Sequence, residues 1–212
     1  MRAVTVLDYG IGNLLNVVRA LEYCGVNVRV ASYSDAESLK SSHMVLPGVG
    51  AFGNAMVELR GRGLDDLIRR FVDTGRPFLG ICVGMQVLFE RGLEMGEHAG
   101  LGLIAGVVAP IPLLGADGQK HRIPHIGWRS LKSVRPWKNS MLMPLRPEER
   151  MYFVHSYAAC TEGNAMVLAE VDYDGISLCA AVQKNNLHGC QFHPERSGPA
   201  GLSTLKSFLA LE

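Results

Sequence analysis

Strand-like and helical segments alternate through the first half of the chain, and this alternation restricts the possible folds more than any other feature of the sequence. Short apolar runs with the length of buried strands lie at residues 3–7, 26–31, 43–46 and 77–80. Helical spacing of apolar residues occurs between them, at residues 14–23, 35–40, 54–60 and 64–72. Strands that alternate with helices pair in parallel through right-handed crossovers. We therefore expect an α/β fold with a doubly wound, mostly parallel sheet and flanking helices.

The second half of the chain has a different pattern, rich in glycine and proline turns. After Arg91, short β-like runs lie at residues 106–110, 126–131, 151–157, 167–171, 178–183 and 188–192, and a closing helix is predicted at residues 201–211. These runs predict a mixed or antiparallel extension packed on the same core. Neither a linker nor an internal repeat divides the sequence, so we expect residues 1–212 to form one domain.

The composition argues against several classes of protein. The 212 residues carry a formal net charge of +1 and no long basic run, so nucleic-acid binding is not expected. No apolar stretch approaches the roughly 18 residues of a membrane span. The apolar strand that follows Met1 and Arg2 predicts no cleaved signal peptide, and a cytoplasmic protein is expected. The five cysteines show no disulfide or zinc pattern, and all except Cys82 are expected to be small buried residues.

The segment that includes Cys82 combines a strand, a tight turn and a helix. Gly80-Ile81-Cys82-Val83-Gly84 follows the strand at residues 77–80, and the apolar positions after it predict a helix that continues to residue 90. This G-x-C-x-G pattern is the thiol form of the nucleophile elbow, in which two glycines let the backbone turn sharply around the apex. The dipole at the start of the helix favours the thiolate. Cys82 is therefore the predicted nucleophile.

A cysteine nucleophile needs a base, and the base needs a group that orients it. Gln191-Phe192-His193-Pro194-Glu195 lies at the end of the last predicted strand. In an extended segment, residues two apart point to the same side, and Pro194 is expected to keep the backbone extended. The carboxylate of Glu195 would then reach one ring nitrogen of His193 while the other nitrogen faces Cys82.

Backbone N–H groups that could stabilise an oxyanion are predicted at two places. One donor is the N–H of Val83, directly after the nucleophile. The other is expected in Pro47-Gly48-Val49-Gly50, where glycines on each side of Val49 allow the amides to point outward. A plain strand-to-helix loop is the alternative interpretation of that segment.

Two further patterns are weak. Gly10 and Gly12, after the first strand, resemble part of a dinucleotide-binding fingerprint, but the third glycine and the acidic residue at the end of the second strand are missing. His121 and His125 lie in a turn-rich stretch beside Pro124 and not on a helix, which does not favour a shared metal site. We expect neither a cofactor nor a metal.

Several segments together resemble a known family. Gly80-Ile81-Cys82-Val83-Gly84-Met85-Gln86 and Gln191-Phe192-His193-Pro194-Glu195 are similar to the two signatures of class I (triad-type) glutamine amidotransferases. Residues 8–13, 46–52, 124–128, 152–157 and 196–198 resemble the glutaminase subunit of imidazole glycerol phosphate synthase, and the resemblance extends over nearly the whole chain. It implies the flavodoxin-like fold of the class I amidotransferases.

The resemblance also implies a reaction. Cys82 attacks the side-chain amide of glutamine, His193 protonates the leaving ammonia, Glu195 holds His193, and water resolves the glutamyl thioester. The residues implied to hold the glutamine are Gln86, His155, Ser156 and Tyr157. Ammonia is expected to pass into a separate (β/α)8-barrel cyclase subunit of a heterodimer, which forms imidazole glycerol phosphate and AICAR in histidine biosynthesis. Trp128 is expected near the contact with that subunit.

Other functions remain open at this stage. Arg129 stands where the family usually has asparagine, which leaves room for a duplicated relative that supplies ammonia to a sugar-amidating enzyme of surface-polysaccharide (O-antigen) biosynthesis. A non-catalytic, nucleotide-binding flavodoxin-like module built on Gly10 and Gly12 is an alternative of another class. A thiol protease-like relative is disfavoured because such proteins commonly place the base directly after the cysteine, where this chain has Val83.

Overall fold

The computed structural model describes residues 3–161, 163 and 165–212. Met1 and Arg2, which begin the N-terminal segment, lie outside the described residues, as do residues 162 and 164. One hydrophobic cluster includes residues from Val4 in the first strand to Leu209 in the last helix, so both halves of the chain contribute to it.

Thirteen strands are present in the described part of the chain. In chain order they are β1 (Ala3–Leu7), β2 (Asn27–Ala31), β3 (His43–Leu46), β4 (Phe78–Ile81), β5 (Phe89–Gly92), β6 (His98–Ala99), β7 (Ile104–Pro110), β8 (His125–Ser133), β9 (Arg150–His155), β10 (Tyr157–Cys160), β11 (Val167–Tyr173), β12 (Ile176–Lys184) and β13 (Leu187–Cys190). The helices are α1 (Leu14–Tyr23), α2 (Phe52–Gly61), α3 (Leu64–Val72), α4 (Val83–Gln86) and α5 (Gly198–Leu209), with 3₁₀ helices at Ser38–Lys40 and Pro194–Arg196.

The main sheet has nine strands in the order β2-β1-β3-β4-β13-β12-β11-β8-β9. The strands from β2 to β13 pair in parallel, and the strands from β13 to β9 pair in antiparallel. This confirms the predicted α/β fold with an antiparallel extension. Because β4 and β13 are parallel neighbours, with Cys190 opposite Ile81, their carboxyl ends meet at the same edge of the sheet. The segments that carry Cys82 and His193 begin at that edge.

Helix α3 illustrates why the predicted bounds agree so well in the first half. Its buried residues, Leu64, Leu67, Ile68 and Phe71, form one apolar stripe at helical spacing. Two acidic residues lie in its first turn and two basic residues in its last, which complements the helix dipole. Local sequence alone therefore specifies this helix, and its predicted bounds are confirmed, as are those of α1 and β3.

A second sheet, with four strands in the order β10-β7-β5-β6, was not predicted. The predicted helix after Cys82 is wrong beyond Gln86, because Phe89 pairs with Ile104 of β7 and continues as strand β5. The predicted strand at residues 151–157 is also interrupted. It ends at His155 in the main sheet, and the chain resumes at Tyr157 in the second sheet. Ser156 lies where the chain crosses between the two sheets.

Three smaller predictions need correction. The short helix predicted at residues 35–40 is a 3₁₀ helix of three residues. Cys179 and Cys190 are buried as predicted, but Cys24 is only partly buried and Cys160 is exposed. Cys160 is the last residue of β10, where its side chain faces outward from the second sheet. No helix in the described part of the chain has the length and apolarity needed to cross a membrane.

Candidate active site

Cys82 occupies the turn between β4 and α4 in a backbone conformation that non-glycine residues rarely adopt. Its φ is 55° and its ψ is −113°. Such a conformation costs about 1–3 kcal/mol and persists only where the surrounding structure enforces it. The Cys82 N–H donates to the carbonyl of Cys190 at 2.7 Å, which fixes the turn against β13. The side chain lines a cleft although only 4% of the residue is exposed.

The two glycines of the elbow are required by close packing. A Cβ atom at Gly80 would lie 2.4 Å from the carbonyl oxygen of Gly84, and one at Gly84 would lie 1.9 Å from the carbonyl oxygen of Leu46. The strand, the turn and the helix therefore approach more closely than any side chain would allow, as in a nucleophile elbow. Helix α4 has only four residues, so its dipole is smaller than that of the longer helix predicted from the sequence.

His193 and Glu195 form the predicted pair at the end of β13. Nδ1 of His193 lies 2.9 Å from Oε1 of Glu195, and both side chains are almost fully buried. The backbone between them is not extended as predicted. Residues Pro194–Arg196 form a 3₁₀ helix, and this turn brings the carboxylate back to the ring. Asn13 Nδ2 lies 3.5 Å from the same carboxylate oxygen.

The surroundings of His193 favour its protonated form. Burial alone would lower the pKa of His193, but its contacts with Cys82 and Glu195 outweigh burial and raise the pKa from 6.5 to about 10. His193 is therefore an imidazolium in the cleft that Cys82 also lines. Within the described residues, Nε2 of His193 is buried without a hydrogen-bond partner of good geometry, and it is the ring nitrogen not used by Glu195.

Cys82 and His193 line the same cleft, which has a volume of about 380 Å³. This volume is within the range of small-molecule sites. The sequence placed several other residues at this site, and Val49, Gly50, Val83, Gln86, His155, Ser156 and Tyr157 do line the cleft. Gly48 is buried and does not line the cleft, and Trp128 lies on the surface with 44% of the residue exposed.

A hydrogen-bond network holds the wall of the cleft opposite the elbow. The carbonyl of Tyr157 accepts from Nε2 of Gln86 at 3.0 Å and from Nδ1 of His155 at 2.8 Å. Because a carbonyl only accepts, Nδ1 of His155 carries the hydrogen, and its Nε2 accepts from Nδ1 of His125 at 3.0 Å. Burial is the main cause that lowers the pKa of His155 to about 4 and of His125 to about 3. Both rings are thus neutral, and neither adds positive charge beside His193.

One of the predicted oxyanion donors, the N–H of Val83, already has a hydrogen-bond partner in this arrangement. The N–H of Val83 donates to the carbonyl of Gly48 at 3.4 Å. Val49 and Gly50 border the cleft, and Gly50 has a φ of 87°. The N–H of Val83 can therefore donate to an oxyanion only after the Gly48–Val49 peptide turns away from it.

Sequence reasoning missed two polar residues near Cys82. Glu94 lines the cleft, and its Oε2 accepts from the N–H of Phe52, the first residue of α2, at 2.7 Å. No local pattern marks Glu94, because it reaches the cleft only through the unpredicted second sheet. Gln191 belongs to a segment that was singled out for His193 and Glu195, yet its own side chain lies 3.5 Å from Sγ of Cys82.

The glycine pattern at Gly10 and Gly12 does not form an open phosphate site. The N–H of Gly10, which a phosphate would need, donates to Oδ1 of Asp8 at 2.9 Å. Within the described residues, no group of three or more His, Cys, Asp or Glu side chains could hold a metal ion.

Comparison with known proteins agrees with this geometry. The family model of the glutamine amidotransferase class-I domain matches residues 5–211. The chain belongs to the class I glutamine amidotransferases. It is 44% identical to imidazole glycerol phosphate synthase subunit HisH 1 of Legionella pneumophila (strain Lens), with 100% of both chains covered. HisH of Aquifex aeolicus is 43% identical, with 98% of this chain and 96% of that protein covered. The chain is therefore also a member of the HisH family.

Solved structures show the same fold at lower identity. PurLQS from Thermotoga maritima superposes with a TM-score of 0.72 and 20% identity, with 98% of this chain and 97% of that chain covered. A putative GMP synthase protein from Thermoplasma acidophilum gives a TM-score of 0.70 and 21% identity, with 99% of this chain and 92% of that chain covered. The HisH relatives, and not these distant structures, favour neither the nucleotide-binding hypothesis nor the role in surface-polysaccharide biosynthesis. The chain is a glutamine amidotransferase of the HisH family.

Proposed function

We propose that the chain hydrolyses L-glutamine to glutamate and ammonia with Cys82 as nucleophile, His193 as general acid and base, and Glu195 as the group that orients His193. The observation that carries the proposal is the cleft in which the strained Cys82 and the His193–Glu195 pair meet. Sγ of Cys82 attacks the carboxamide carbon, and the proton on Nε2 of His193 passes to the departing nitrogen, which leaves as ammonia. Water, deprotonated by His193, then cleaves the thioester and restores the thiolate.

The binding of glutamine follows from the charges of the cleft. Glu94 adds a carboxylate to the cleft that the neutral His155 also lines, and it would accept a hydrogen bond from the α-ammonium group of glutamine. Gln86, Ser156 and the backbone around Tyr157 supply polar groups for the rest of the substrate. The oxyanion of the tetrahedral intermediate would accept from the N–H groups of Val49 and Val83 after the Gly48–Val49 peptide turns.

The ammonia would be consumed by a partner subunit. We infer a heterodimer with a (β/α)8-barrel cyclase that converts the ammonia into imidazole glycerol phosphate and AICAR in histidine biosynthesis, because the similar full-length proteins are named as subunits of that synthase. The exposed Trp128 and the partly buried Tyr152 form an aromatic pair with ring centroids 5.7 Å apart, and Arg196 lies over the Tyr152 ring. Aromatic residues and arginine are typical anchors of protein interfaces.

Two properties of the whole chain complete the proposal. Residues 1–212 would act as one glutaminase domain, since one hydrophobic cluster draws on both halves of the sequence. The protein would work in the cytoplasm, because the five cysteines are free, and disulfides are rare in that reducing compartment.

The decisive experiment compares Cys82→Ala with Cys160→Ala, which changes an exposed cysteine outside the cleft. Ammonia release from glutamine is measured with and without the cyclase and its ligand. The wild-type chain alone should be slow and should accelerate in the complex, because the N–H of Val83 must be released from Gly48. Cys82→Ala should abolish turnover while its circular dichroism stays native, and Cys160→Ala should behave like wild type. Retained turnover in Cys82→Ala would refute the proposal.

A further inference from the structure

Gln191 is a fully buried polar residue that directly contacts the nucleophile. It follows β13, and its N–H donates to the carbonyl of Ala180 at 2.9 Å, which fixes its backbone beside β12. Its side-chain Nε2 lies 3.5 Å from Sγ of Cys82, and its Oε1 lies 3.0 Å from Nε2 of Gln86. A buried amide is costly unless its hydrogen-bonding groups are used, so these contacts account for its burial.

The direction of each hydrogen bond in this network is fixed. The Tyr157 carbonyl can only accept, so the atom of Gln86 that faces it is the amide nitrogen. That nitrogen has two hydrogens, and the second is donated to Gln191, whose facing atom must be Oε1. Nε2 of Gln191 is therefore the atom that faces Cys82, and it presents an N–H group to the sulfur. The amide cannot be turned over without losing the bond to Gln86.

The other titratable groups near Cys82 show why this donor matters. Burial, followed by the charge of Cys82, raises the pKa of Tyr9, and burial raises the pKa of Cys190 well above its usual value. Both groups are therefore neutral at neutral pH. His193, from the segment after β13, is the cation that favours the thiolate. The side-chain N–H of Gln191 is a second donor near the sulfur, in addition to the imidazolium of His193. Hydrogen bonds to a charged group are among the strong ones.

We propose that Gln191 is a catalytic residue whose amide donates a hydrogen bond to the Cys82 thiolate and, through Gln86, ties the nucleophile to the wall that holds glutamine. The proposal rests on the glutaminase function proposed above. It assigns Gln191 two separable contacts, a donor toward sulfur and an acceptor toward Gln86. Loss of the donor raises the pH at which Cys82 ionises, and loss of the acceptor loosens Gln86.

The test measures the pH dependence of iodoacetamide alkylation at Cys82. Mass spectrometry follows the peptide that contains Cys82, so that exposed Cys160 does not contribute. In Gln191→Met, which has similar volume but no N–H donor, the alkylation midpoint should rise by about one pH unit, the lower end of what a charge-assisted hydrogen bond supplies. The acid limb of the pH profile of kcat/KM for glutamine, measured with the cyclase bound, should move by the same amount.

Two further variants separate the contacts. Gln191→Glu keeps an acceptor for Gln86 but replaces the donor with a carboxylate, so the midpoint should rise further than in Gln191→Met. Gln86→Met should raise KM while the midpoint stays near that of wild type. Gln183→Met serves as the matched control, because the Gln183 amide donates to the Asn139 carbonyl outside the cleft, and neither measurement should change.

The outcomes are distinguishable from those for the proposed function. An unchanged midpoint in Gln191→Met and Gln191→Glu, in an otherwise active wild-type enzyme, overturns the inference about Gln191 alone. A wild-type chain without glutaminase activity in the complex overturns the proposed function instead. Circular dichroism is recorded for each variant, and if Gln191→Met does not fold, Gln191→Glu decides the question.

Discussion

Replacing Gly84 with alanine tests whether the tight elbow is needed for catalysis. The added Cβ would lie 1.9 Å from the carbonyl oxygen of Leu46, whereas ordinary contacts begin at 3.4 Å. The end of β3 at Leu46 and helix α4 must therefore separate by about 1.5 Å beside the turn that carries Cys82. A displacement of about 1 Å in an active site can lower the rate about 100-fold. We expect kcat/KM for glutamine to fall at least about 100-fold, and the free energy of unfolding to fall by about 1–3 kcal/mol, as in overpacked cores.

Gly61→Ala is the matched control for this prediction. Gly61 is the last residue of α2, and a Cβ there would meet no atom within 4 Å. Gly61→Ala should therefore raise the free energy of unfolding by about 0.4–1 kcal/mol, because alanine restricts the conformations of the unfolded chain. Activity should be unchanged. Steady-state assays of ammonia release and guanidinium titrations of both variants provide the comparison. A Gly84→Ala enzyme within a few-fold of wild-type kcat/KM would refute the reasoning.

Three further predictions concern single side chains. Glu195→Gln removes one of the two contacts that raise the pKa of His193 and the carboxylate that orients its ring. We therefore expect kcat to fall by about 10²–10⁴, and a loss under tenfold in the ammonia-release assay would contradict this role. Glu94→Gln should raise KM for glutamine roughly 10-fold, the value of a charge-assisted hydrogen bond, while kcat changes little; an effect on kcat alone would exclude Glu94 from substrate binding. Burial, followed by the charge of His43, lowers the pKa of His188 from 6.5 to about 4. In the unfolded chain, His188 therefore binds a proton near pH 6.5, whereas in the folded chain it binds one only near pH 4. The free energy of unfolding consequently falls as the pH drops toward 4. Guanidinium titrations between these pH values should show the unfolding free energy of wild type decreasing about 1.4 kcal/mol per pH unit more steeply than that of His188→Leu, and equal slopes would disprove the assignment.

The sequence predicted those parts of the fold that local patterns specify. The bounds of α1, β3 and α3 were correct because each element has a continuous apolar face and a clear end signal. The parallel pairing in the first half followed from the alternation of strands and helices. The proximity of Cys82 to His193 was predicted from the need of a cysteine nucleophile for a base and from the resemblance to class I glutamine amidotransferases, and both residues line the same cleft. The elements of the first half require no knowledge of distant pairing partners.

The features that could not be predicted depend on contacts between distant residues. Phe89 continues a helical pattern in the sequence, yet it becomes part of β5 because β7 offers it main-chain partners. Glu94 reaches the cleft through this second sheet, and its carboxylate caps α2 from far along the chain. Gln191 belonged to a recognised signature, but only the structure reveals that its amide faces the sulfur. Long-range pairing has no local signal, and each of these misses depends on it.

The crossing of the chain at Ser156 separates two tasks. The nucleophile and its proton-transfer partner both follow the sheet edge where β4 and β13 end. Three of the four residues expected to hold glutamine, His155, Ser156 and Tyr157, instead lie on the seam between the nine-stranded and the four-stranded sheets. A small slide of one sheet over the other would reshape recognition and leave the reactive pair in place. Substrate preference and docking could thus diverge among proteins of this fold while the bond-breaking chemistry stays the same.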